Sequence, residues 1–100
     1  MAARIAIDQG RIADFCHRWQ VTELALFGSV LREDFGPESD VDVLVTFAPE
    51  APWSLFDLVD MMDELEAIFG RKVHLVEGEG LRNPIRRRAI VSSREIIHAA

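Results

Sequence analysis

Between Leu26 and Phe47 the chain reads LFGSVLREDFGPESDVDVLVTF. The apolar pair Leu26-Phe27 runs into Gly28-Ser29. Ten residues follow, Val30 to Ser39, and then Asp40 and Asp42 flank Val41 at the head of a second apolar run that ends at Phe47. Side chains alternate along a strand, so Asp40 and Asp42 are expected on one face. Two carboxylates aimed at one spot repel unless a cation lies between them. A donor set made only of oxygen favours a hard divalent ion such as Mg²⁺. Gly28-Ser29 falls where a strand passes to a helix, and the free amides and helix dipole there suit a phosphate. A phosphate cradle beside paired metal-binding carboxylates is equipment for a nucleoside triphosphate.

The rest of the chain limits the setting. One hundred residues make one domain, 1–100, and 49% hydrophobic with 28% charged residues is ordinary globular composition. The net charge of −6 argues against direct nucleic-acid binding. Five of the eleven basic residues, Arg82, Arg86, Arg87, Arg88 and Arg94, crowd into the last twenty positions, a patch too short to reverse that conclusion. Cys16 is the single cysteine, which fits a reducing cytoplasm, and it lies in an apolar helical stripe as buried filler. No apolar run reaches the length of a membrane span, and the first residues do not form a signal peptide, so a cytoplasmic protein with no membrane contact is expected.

Helices and strands alternate. Ile12, Phe15, Cys16 and Trp19 repeat at helical spacing, with Asp8 as N-cap, predicting a helix to about Gln20. Glu23 to Phe27 reads as a strand, Ser29 to Phe35 as a short helix stopped by Gly36-Pro37, and Asp40 to about Ala48 as a second, interior strand. A long helix follows from Ser54 to Phe69, capped by Ser54 and ended by Gly70, with Leu55, Leu58, Met62, Leu65 and Phe69 as its apolar face. Asp57, Asp60, Asp63, Glu64 and Glu66 read as its solvated side, and Trp53 at its start as core packing rather than a stacking partner for a base. Arg71 to Val76 is a third strand, broken at Gly78-Glu79-Gly80. Asn83-Pro84 opens a helix carrying the arginines, and Glu95 to His98 is a terminal strand. The order implies an α/β (α+β) fold, a small mixed sheet flanked by helices.

Gly-Ser, ten residues and Asp-x-Asp opening an apolar strand resemble the signature of the DNA polymerase beta-like nucleotidyltransferase superfamily. More closely, they resemble its minimal nucleotidyltransferase branch, the antitoxin of HEPN–MNT toxin–antitoxin pairs. The likeness extends to Arg32, Asp34 and the later Asn83-Pro84 helix with its terminal strand. It implies a palm-like core, ATP as substrate, Mg²⁺ (or Mn²⁺) as cofactor and a HEPN-type toxin as partner, whose hydroxyl would receive AMP. By position, Gly28, Ser29 and Arg32 would bind nucleotide, and Asp40 and Asp42 would hold the metal and serve catalysis. The family's third carboxylate falls on His74. Imidazole suits Mn²⁺ or Zn²⁺ better than Mg²⁺, and it titrates near neutrality, so His74 could still act as general base. Glu77 could replace it only if the strand bent. Arg32 pairing with a neighbouring acid, and Asp34 and Glu38 as solvated loop residues, are the plainer readings.

Two functions compete. One is an enzyme transferring a nucleoside monophosphate to a partner protein's hydroxyl. The other is an impaired nucleotidyltransferase fold that acts by docking, through the acidic helix or the arginine cluster.

Overall fold

A computed structural model describes residues 7–28, 36, 39–78 and 83–99. Helix α1 spans Gln9–Arg18, strand β1 Val21–Phe27, β2 Val41–Phe47, helix α2 Leu55–Phe69, β3 Val73–Glu77, helix α3 Pro84–Ser93 and β4 Glu95–Ala99. The expected helix over Ser29 to Phe35, the Pro37 stop and the Glu79-Gly80 break lie outside the described residues.

The four strands form one sheet in the order β3-β2-β1-β4. β1 runs antiparallel to both β2 and β4, whereas β2 and β3 are parallel, joined through α2. The sheet is therefore mixed, and β2 is interior, as its unbroken apolar character suggested. Alternation sorts its two faces. Leu24 and Leu26 of β1, with Val41, Val43 and Val45 of β2, pack with Ile12, Phe15 and Cys16 of α1 and Met61, Leu65 and Phe69 of α2. Ala25, Phe27 and Leu44 point the other way and meet Ile90 of α3. Asp42, between Val41 and Val43, belongs by alternation to this second face.

Local chemistry sets the helix ends. Asp8 accepts the Arg11 amide to start α1. Ser54 and Asp57 form a reciprocal capping box at α2, whose end is turned by Gly70 at φ 69°. Asn83 Oδ1 accepts the Ile85 amide at 3.0 Å, with Pro84 in the first turn where no amide donor is needed.

The core face of α2 differs from the expected stripe by one step. Met61 is fully buried, whereas Leu55 is 74% exposed. Leu55 lies in the first turn, and the buried stripe begins with half-buried Leu58. The acidic side of α2 also departs from simple solvation. Glu64 accepts from Trp19 Nε1 at 2.6 Å and pairs with Arg18 at 2.7 Å, and Glu66 accepts the Val73 amide at 3.0 Å. Trp53 donates from Nε1 to the Trp19 carbonyl at 2.7 Å and meets the Trp19 ring edge-on at 5.0 Å. It is committed to packing. No helix among the described residues is long and apolar enough to cross a membrane.

Met61→Ala is expected to destabilise the fold by about 2–5 kcal/mol, and Leu55→Ala by less than about 0.5 kcal/mol, in urea denaturation. Burial pushes the Cys16 thiol up to about 12. A thiol reagent at pH 8 should therefore label Cys16 only as the protein unfolds. Because the folded-state value is the higher one, the associated stability is present below the unfolded value near 9 and is lost as pH rises through about 12.

Candidate active site

The two halves of the Gly-Ser…Asp-x-Asp motif meet because β1 and β2 are antiparallel neighbours. The end of β1 lies beside the start of β2, with Phe27 opposite Asp42. β3 enters parallel to β2, which sets His74 opposite Asp42 on the other side. Three strand ends thus converge on one carboxylate.

Gly28 follows Phe27 with φ 73°, a left-handed backbone that side chains disfavour. A Cβ built there would overlap Asp42 Oδ2 and lie 3.3 Å from its Cγ. The turn favours glycine through its backbone, and a side chain there would displace the carboxylate from its present position. On the other side, Asp42 Oδ1 lies 3.5 Å from His74 Nδ1, an ion-pair separation if the imidazole is protonated and longer than an ordinary hydrogen bond. The Asp42 side chain is 25% exposed and that of His74 59% exposed, so this face of the sheet is open at the pair.

Asp40 lies one residue ahead of β2, not within it, and is exposed. The strand was expected to include it. The ladder instead begins at Val41, whose amide donates to the Lys72 carbonyl at 2.8 Å. Glu77 does not join His74 on its face of the sheet. β3 continues unbroken to Glu77, opposite Val45, and an odd separation puts Glu77 and His74 on opposite faces. Ser29, Arg32, Asp34 and Glu38 lie outside the described residues, as does Arg82 of the basic cluster.

Among the described residues no three histidine, cysteine or acidic side chains converge tightly enough to enclose a metal ion. The donor chemistry nevertheless fits a hard cation. Such ions are commonly held by one or two carboxylates, with substrate phosphates and water completing the shell. Two surface cavities lie elsewhere. One of about 340 Å³ is bordered by Gly10, Arg11, Arg18 and Glu64, and one of about 760 Å³ by His17, Gln20, Thr22 and His98. Neither is lined by Gly28, Asp42 or His74.

The chain belongs to the nucleotidyltransferase domain family, whose profile matches residues 11–97. Protein adenylyltransferase MntA of Thermococcus cleftensis is 36% identical over 81 residues, 81% of this chain and 77% of that protein. A solved structure described as a minimal nucleotidyltransferase, 28% identical, superposes with a TM-score of 0.71 over 87% of this chain and 86% of its own. A complex of tri-AMPylated Shewanella oneidensis HEPN toxin with MNT antitoxin contains a chain with the same fold. Its TM-score is 0.61 at 17% identity, over 92% of this chain and 70% of that one. The mixed sheet of four strands with three helices among the described residues is the fold of minimal nucleotidyltransferases.

Gly28→Ala should cost about 1–2 kcal/mol in an Asp42→Ala background, where only the left-handed backbone is penalised. It should cost more with Asp42 in place. Urea denaturation of the four proteins in this double-mutant cycle checks the coupling.

Proposed function

We propose that this protein transfers AMP from ATP to a hydroxyl on a HEPN-type toxin and thereby neutralises it, with 1–100 acting as one minimal nucleotidyltransferase unit. The observation that carries the reading is the placement of Asp42 between Gly28 and His74 on an open sheet face, in a chain of this family. A relative named as a protein adenylyltransferase and the AMPylated HEPN complex of a structural neighbour supply the substrate class and partner.

In this reading the glycine turn at Gly28 lets the backbone approach the triphosphate, while Ser29 and Arg32 donate to its oxygens. Asp40 and Asp42 hold the divalent cation, Mg²⁺ or Mn²⁺. When bound, the cation neutralises charge on the phosphates and favours departure of pyrophosphate. His74 stands where a third carboxylate would otherwise accept the proton of the attacking hydroxyl. As a neutral imidazole it can take that proton, and as imidazolium it pairs with Asp42 instead. The acceptor oxygen attacks the α-phosphorus, and the bond from that phosphorus to pyrophosphate breaks. The exposed sheet face leaves room for the toxin to present its hydroxyl.

The His74–Asp42 pair also favours a second reading, a docking antitoxin with weak transfer. An imidazole is a poorer partner for Mg²⁺ than a carboxylate and can compete for Asp42 as a cation. Transfer from α-labelled ATP to the HEPN partner separates the two. The enzyme reading expects label on the toxin with wild type and none above background with Asp42→Asn. His74→Asp should raise the rate in Mg²⁺ by about 10- to 100-fold, the scale on which changes around a metal act. Absence of transfer together with intact toxin neutralisation would establish the docking reading, and equal rates for wild type and His74→Asp would remove His74 as the limiting residue.

A further inference from the structure

The two aspartates of the motif hang on different supports. Asp42 is fixed by ladders to β1 and β3. Asp40 lies one residue before the first ladder residue. Its neighbours are held by the segment between α2 and β3. The half-buried Arg71 side chain donates from Nη2 to the Gly36 carbonyl and, at 2.9 Å, to the Ser39 carbonyl. Gly36 and Ser39 are bound to each other twice, through Ser39 N to Gly36 O and Gly36 N to Ser39 Oγ, both at 3.1 Å. On the far side of Asp40, the Val41 amide donates to the Lys72 carbonyl at 2.8 Å. Arg71 and Lys72 thus grip the chain immediately before and immediately after Asp40.

We propose that Arg71 is a positioning residue for Asp40, setting its carboxylate against that of Asp42. The proposal rests on the assignment of these two aspartates to a divalent cation. A hydrogen bond from a cationic donor is stronger than one between neutral groups, and here one nitrogen serves two carbonyls on the same turn. The turn is thereby referenced to the start of β3, the strand that carries His74. Both of these bonds come from a single nitrogen, and a lysine ammonium with three donors can supply them.

The test is calorimetric titration of Mn²⁺ into the full-length protein holding a non-hydrolysable ATP analogue, with a melting curve for each variant. Arg71→Gln is expected to weaken Mn²⁺ binding about tenfold, as loss of an outer partner of a metal ligand does. Its melting temperature should fall by no more than about 4 °C. Arg71→Lys should return the affinity to within about threefold of wild type. Wild-type affinity in Arg71→Gln, or Arg71→Lys as weak as Arg71→Gln, overturns the proposal. Should Arg71→Gln fail to fold, Ser39→Ala removes the Oγ acceptor of the same turn. A weakening of about two- to threefold supports the proposal and an unchanged affinity overturns it. Asp42→Asn separates the two levels of the inference. If it retains Mn²⁺ binding, the metal assignment itself falls. If it loses binding while Arg71→Gln does not, only the role of Arg71 falls.

Discussion

The contact between Asp42 and the bare α-carbon of Gly28 constrains everything around it. A carboxylate can lie against the turn only because residue 28 has no Cβ, and the turn exists only because residue 28 tolerates a positive φ. Antiparallel pairing of β1 with β2 supplies this proximity, and parallel pairing of β2 with β3 adds the imidazole on the other side. A uniformly antiparallel or uniformly parallel sheet would not bring the end of β1 and the starts of β2 and β3 to one place. The mixed topology is thus part of the chemistry.

The two faces of the sheet divide the work. One is covered by α1 and α2 and carries the larger apolar cluster, with Phe15, Leu24, Val43 and Met61 at its centre. Among the described residues the other carries a smaller cluster around Ile90, and Asp42 and His74 are in contact with solvent. Stability comes mainly from the first face, and that leaves the second free to carry charged groups at little cost to the core. The Arg94–Glu23 pair at 3.0 Å fastens the segment after α3 to β1.

Much of this was legible in the sequence because it depended on local rules. The caps at Asp8, Ser54, Gly70 and Asn83, the interior character of β2 and the burial of Cys16 all follow from a few neighbouring residues. The position of His74 beside Asp42 followed from a family pattern, and strand pairing accounts for it physically. What could not be read depended on distant contacts. Leu55 has the right spacing for the apolar face, but it is exposed. Glu64 and Glu66 look like solvent-facing acids until Trp19 and the Val73 amide are brought to them by the fold. Arg71 looks like the first residue of a third strand, yet it donates to the carbonyls of Gly36 and Ser39, more than thirty positions earlier.

Glu66 deserves a final consequence. Its carboxylate holds the first amide of β3, while its own place is fixed by the last turns of α2. The helix therefore acts as a ruler that delivers β3 to β2 in one register. Adding or deleting a single residue within those turns would swing Glu66 about 100° around the helix axis and unlatch the strand start. Length variation in relatives of this chain should consequently gather in the connections and spare the end of α2.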